Sequence, residues 1–227
     1  MGPWQRWGAG TEPSTQAPPA SAPGDYFSCV RTLLSILTFS VLLSGAAVSR
    51  AQAQEEPRFA SYVTSRLVVL PGQAVLGAGS ARPWLDQFDA TLTGALENGG
   101  VGSGWAYPRD VIRAARRNPT YAADPLALGA QPLQSDRARA GTNLPEPFGS
   151  RTRALLALND ARFAVVPVTA RIDTTQSPAM AELRLTIIDA RQSQILWTGI
   201  IETRFTGPLS AAADSLALRT AGLFVAR

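Results

Sequence analysis

Histidine and lysine are absent from these 227 residues, and cysteine occurs once, as Cys29. Without imidazole neither a Ser-His-Asp nor a Cys-His nucleophile can be assembled, because the general base is missing. Zinc sites built from imidazole and thiolate are excluded beyond residue 29 as well. One thiol cannot form a disulfide within its own chain, so core packing alone must hold the fold. What stays chemically open is carboxylate chemistry, an Arg/Tyr site or an all-oxygen cation site. No cofactor or metal motif is read. Gly77-Ala78-Gly79 has the glycines of a phosphate loop, but no lysine follows them.

Against these absences stands one long apolar run, Thr32 to Val48, between Arg31 and Arg50. Ala51-Gln52-Ala53 follows, with small residues at the −3 and −1 positions of a signal peptidase site. Polar Gln54-Glu55-Glu56-Pro57 comes next. A charged start, an apolar stretch and an Ala-x-Ala exit describe an export signal over residues 30–53. The rival reading is an uncleaved anchor in the inner membrane through residues 32–49. The run falls short of the roughly 20 apolar residues that cross a bilayer, and serine, threonine and glycine dilute it. Cys29 precedes the run, whereas a bacterial lipoprotein carries its cysteine straight after it. Residues 1–29 are an extension rich in Pro, Gly, Ser and Trp, and a start assigned too early, with the true beginning at Val30, would account for it. Residues 54–227 are then expected as one exported domain, periplasmic or secreted. The net charge of +4 is mild and all basic residues are arginine, so with export it argues against nucleic acid as a partner.

Within that domain, Arg66-Leu67-Val68-Val69-Leu70-Pro71 reads as a buried strand ended by a turn at Pro71-Gly72. From Pro83 to Asn98 the spacing of Trp84, Leu85, Phe88, Leu92, Ala95 and Leu96 is helical. Gly104-Trp105-Ala106-Tyr107 reads as a second strand. Pro108 opens a helix to Arg117, stopped by Asn118-Pro119. Residues 119–146 have no sustained period and are expected as an irregular surface excursion in preference to a functional flap. A helix over Phe148–Asp160 follows, then a strand over Phe163–Ile172 with Ala164, Val166, Val168, Ala170 and Ile172 on one side. Ala181, Leu183, Leu185 and Ile187 alternate with Glu182, Arg184 and Thr186, which predicts a strand with one wet face. It pairs in a hairpin with Ile195–Phe205, and Leu209–Val225 closes the chain as a helix. The order β-α-β-α-α-β-β-β-α predicts an α/β domain. Its single mixed sheet has three to five strands, with a C-terminal antiparallel hairpin and about four helices packed on it.

Three pieces carry a resemblance. They are Leu67-Val68-Val69-Leu70-Pro71, Leu158-Asn159-Asp160-Ala161-Arg162-Phe163-Ala164-Val165-Val166, and Leu185-Thr186-Ile187-Ile188-Asp189-Ala190 running into Ile195-Leu196-Trp197-Thr198-Gly199. Together they resemble the amino-terminal α/β domain of TolB, and the domain shared by CsgG-type curli-secretion lipoproteins and Lpo activators of cell-wall synthases. The resemblance implies a module that binds envelope proteins or assembles into oligomers, without catalysis. The missing lipid-acceptor cysteine departs from the CsgG and Lpo pattern.

Candidate residues follow from charge and stacking. Arg109, Arg113 and Arg116 share one helix face with Arg117 beside them, and guanidinium forks suit an anionic polymer or phosphate-bearing headgroup. A solvated face is the commoner reason for such a stripe. Trp105 and Tyr107 are the aromatic candidates for partner binding, while Trp84 and Trp197 fit apolar stripes of the core. Asp86, Asp89, Asp173, Glu182 and Asp189 supply carboxylates, although nothing in their spacing pairs them. Asp189 is expected to shape its turn through its side chain. Two functions are weighed. The first is a non-catalytic exported module for an envelope protein or cell-wall polymer, with self-assembly into a homo-oligomer within its scope. The second is a small carboxylate-dependent hydrolase of cell-wall glycan.

Overall fold

The computed structural model describes residues 59 to 225, apart from 79, 102 and 103. The expected extension and export signal, residues 1–53, lie outside the described residues. The apolar run after Arg66 forms β1 (Leu67–Val69), buried at every position. A short helix α1 (Ala60–Val63) precedes it and a two-residue strand β2 (Val75–Leu76) follows it. Both were too short to show a period in the sequence. Helix α2 (Ala81–Asn98) holds Pro83 in its first turn and buries Trp84, Leu85, Phe88, Leu92 and Leu96. Helix α3 (Pro108–Arg117) has the bounds that Pro108 and Asn118-Pro119 predict.

Next come a 3-10 turn (Gln131–Gln134), α4 (Phe148–Leu158), β3 (Phe163–Asp173), β4 (Ala179–Asp189), β5 (Gln194–Phe205) and α5 (Leu209–Ala221). The five strands make one mixed sheet in the order β1-β3-β4-β5. β1 and β2 both lie parallel to β3, while β3-β4 and β4-β5 are antiparallel. Helices cover both faces. On one, α2 and α5 pack Phe88, Leu92, Ala213 and Leu216 over Val165, Leu183, Leu185 and Ile201. On the other, α3 and α4 place Val111, Phe148 and Leu155 over Val68, Val166 and Ile188.

Four expectations are corrected by this packing. The chain does not turn at Pro71-Gly72 but runs on extended from β1 into β2, both parallel to β3, with the Leu70 and Gln73 N–H groups donating to Val165 O (2.9 Å) and Pro167 O (3.1 Å). Gly104–Tyr107 is not a strand. Only Ala106 bridges to Val68, accepting from the Val69 N–H (2.8 Å) and donating to the Leu67 carbonyl (2.9 Å). The apolar side of β3 also switches. The register with β4 slips between Pro167 and Thr169, so Ala164, Val166 and Val168 face α3 and α4 while Ala170 and Ile172 face α2 and α5. A bulge of this kind adds one residue to one strand and inverts the alternation beyond it. Finally, residues 119–146 are irregular yet not peripheral. Leu128, Leu133, Ala138 and Leu144 are buried in the second core. Gln73 ties this segment to the extended stretch between β1 and β2, donating to Pro125 O (2.9 Å) and accepting from the Leu128 N–H (3.2 Å).

Candidate interaction surface

Strand β5 is the last in the sheet, and which of its backbone groups face outward follows from the ladder. Ala190 donates to Arg162 O (2.9 Å). In the two-residue alternation of an antiparallel pair, even-numbered residues of β4 then turn their N–H and C=O toward β3, and odd-numbered ones toward β5. Val165 and Ala170, opposite Ile187 and Leu183, agree: Val165 O accepts from Leu70 N–H (2.9 Å), and Ala170 N–H donates to Ala74 O (2.9 Å). On β5 the inward set is therefore Trp197, Gly199, Ile201, Thr203 and Phe205, the partners of odd-numbered β4 residues. Thr198, Ile200, Glu202 and Arg204 aim their backbone groups away from the sheet.

The start of this edge is closed. Ile195 donates to Thr142 O (2.9 Å) and accepts from Gly141 N–H (2.7 Å), while Leu144 N–H donates to Ser193 O (2.7 Å). From Trp197 to Phe205 no backbone group pairs with the outer side of β5 among the described residues. Side chains of the outward set lie on the sheet face away from α2 and α5. Thr198 shares a hydrogen bond with buried Thr186 (3.1 Å), a correction to the wet position expected for Thr186. Beyond that pair the face opens. Ile200 is 52% exposed, Glu202, Arg204 and Arg171 are exposed, and Glu182 and Arg184 are half-buried. Arg171, Asp173, Met180 and Glu182 line an open depression there with Ile172.

The residues singled out in the sequence are distributed unevenly. Arg109, Arg113, Arg116 and Arg117 are all exposed on α3, and Arg113 pairs with Asp110 at 3.2 Å. They form a solvated stripe on a different element from the β5 edge. Trp105 and Tyr107, expected on a binding surface, are each 7% exposed and belong to the core. Trp105 packs edge-on against Phe224 (5.3 Å, 87°), and its indole N–H finds no acceptor among the described residues. The Tyr107 hydroxyl donates to Val101 O (3.0 Å); burial, then the charge of Glu97, pushes its pKa up. Burial takes both off any docking surface. Trp197 is half-buried, edge-on to Phe59 (5.0 Å).

The carboxylates are mostly engaged in structure. Asp189 is buried, with Oδ2 accepting from Arg162 Nε (2.8 Å) and Oδ1 from the N–H groups of Arg191 (2.8 Å) and Gln192 (3.1 Å). It shapes its turn as expected. Burial raises its pKa, but these hydrogen bonds together outweigh that and leave it lowered. Asp89 is buried against the stretch between β1 and β2, accepting from Gly72 N–H at 3.0 Å, with Arg82 at 3.4 Å. Burial pushes its pKa up to about 7 against those contacts. Arg82 also binds Asp86 (2.7 Å). Asp173, at the rim of the depression, is held below its usual range by hydrogen bonds from Thr175. Among the described residues no cluster of carboxylates could hold a metal ion, and no helix is long and apolar enough to cross a membrane.

No protein-family model matches this chain, and no curated protein matches it. Among solved structures it is similar to LpoB from E. coli, at 15% identity over 88% of this chain and 97% of that one (TM-score 0.41). The C-terminal domain of LpoB from Salmonella enterica is 16% identical over 62% of this chain and 83% of its own (TM-score 0.37). The PelC dodecamer from Paraburkholderia phytofirmans is 12% identical over 72% and 89% (TM-score 0.38). At these values the likeness leaves both fold and function to be argued from this chain's own residues, and it adds nothing for the TolB label.

Proposed function

We propose that this chain is a non-catalytic module of the cell envelope, exported by the signal at residues 30–53, that binds or assembles with another envelope component. The observation that carries this reading is the outer edge of β5 from Trp197 to Phe205, unpaired among the described residues, with Thr198, Ile200, Glu202 and Arg204 turning their backbone groups outward. An open edge offers a partner strand main-chain hydrogen bonds, and side chains on one face supply the specificity. The same feature left unmanaged is an aggregation hazard. Glu202 and Arg204 place charge there, which narrows what can add.

The test is a photo-crosslinking residue at Ile200, with a control at exposed Thr120, in cells expressing the full chain. The reading expects the protein in the envelope fraction and discrete adducts from position 200 alone. Cytosolic protein, or equal adducts from both positions, would overturn it.

A further inference from the structure

We propose that the component received by the β5 edge is β5 of a second copy of this chain, antiparallel, about a two-fold axis at Thr203. The proposal rests on the reading above and names the occupant of the same edge. Parity limits the choice. In an antiparallel ladder residues with outward backbone groups pair with one another, so even-numbered residues must meet even-numbered ones and the axis falls on a residue; those well inside the open stretch are 200, 201, 202 and 203.

Charge then separates these registers. Glu202 lies opposite Glu182 across β4, and Arg204 opposite Met180. Neither Glu202 nor Arg204 has an ion-pair partner among the described residues. Like charges directly opposite repel and unlike charges stabilise a cross-strand pair, so the free side of Glu202 favours a cation and the free side of Arg204 an anion. An axis at 202 sets Glu202 against Glu202. An axis at 201 sets Glu202 against Ile200, and Arg204 against Thr198. An axis at 200 sets Glu202 against Thr198, and Arg204 against Leu196, where the strand is already irregular. Only the axis at 203 puts Glu202 of each copy opposite Arg204 of the other. On the opposite face it aligns Ile201 with Phe205 twice and Thr203 with itself. This is the self-complementary pattern that a two-fold interface requires.

The experiment is sedimentation equilibrium of the full chain and of Glu202→Arg, Arg204→Glu and the double exchange. Wild type should associate reversibly to a dimer. Each single exchange sets like charges opposite one another at two symmetric places and should weaken association by about tenfold. The double exchange restores both pairs and should recover wild-type association. Glu202→Arg also replaces the Glu182–Glu202 opposition by an attractive pair, so its melting temperature should not fall, which separates lost pairing from lost folding. A monomeric wild type, single exchanges that associate unchanged, or a double exchange as weak as the singles would each overturn the self-pairing. A monomer whose position 200 still cross-links to a different envelope protein sinks this inference and leaves the broader reading standing.

Discussion

The Asp189 carboxylate and the Arg162 guanidinium meet at 2.6 Å where β4 ends, one oxygen on the arginine and the other on the backbone of the turn into β5. Asp189 is 1% exposed, so loss of its side chain leaves the Arg191 and Gln192 N–H groups without their acceptor. Asp189→Ala is expected to cost about 2–3 kcal/mol in urea unfolding. Because its pKa is lowered in the folded state, its contribution is present above the unfolded value and lost as pH falls through the folded one, below about 4.

Asp89 titrates with the opposite sign. Its folded pKa of about 7 stands above the unfolded value of about 3.9, so between those values the native state holds a proton that the unfolded chain releases. Stability is full below about pH 4 and declines as pH rises toward 7. Asn keeps an acceptor for the Gly72 N–H without the buried charge. Asp89→Asn should therefore match wild type near pH 4 and exceed it at pH 8 by about 1–3 kcal/mol. Unfolding curves at the two pH values check this, and equal differences at both would refute it.

Gly199 is held to glycine by its own strand. A Cβ there would lie 2.3 Å from Trp197 Cζ2, and the indole is fixed against Phe59. Gly199→Ala should cost about 1–3 kcal/mol and red-shift the tryptophan emission as the ring moves outward. At Gly94, inside α2, a Cβ would meet no described residue within 4 Å beyond the helix's own backbone. Gly94→Ala should instead stabilise by about 0.5–1 kcal/mol, since alanine restricts the unfolded chain and suits a helix.

The sequence revealed features written in neighbouring residues and missed those set by distant ones. Pro108 and Asn118-Pro119 bound α3 by local backbone sterics, and the unbulged alternation of β4 from Ala181 to Ile187 marks a strand without help. The slip at Pro167–Thr169 belongs to pairing with β4, so a straight alternation through Ile172 was the natural misreading. Trp105 follows Gly104 and Tyr107 lies two residues on, in a stretch whose local pattern carries no sign of burial. Phe224, from the far end of the chain, buries Trp105. The edge position of β5 is a property of strand order, which no local pattern states. The polar alternation Thr198, Glu202, Arg204 was its one available signal, and it reads equally well as an ordinary wet face.

Residues 119–146 provide the last test, because irregular backbone and buried side chains give opposite expectations for them. If the segment were a surface excursion, truncating Leu133 would leave global unfolding unchanged and loosen only the loop. Leu133 is instead fully buried in the cluster that includes Val68, Val166 and Phe148, and Gln73 fastens Pro125 and Leu128 to the extended stretch after β1. A cavity there opens against the sheet itself. Leu133→Ala should lower global stability by about 2–4 kcal/mol, seen as one shifted transition by far-UV circular dichroism and by pulse proteolysis. Early cleavage within 119–146 with an unshifted circular dichroism transition would show the segment to be an independent flap.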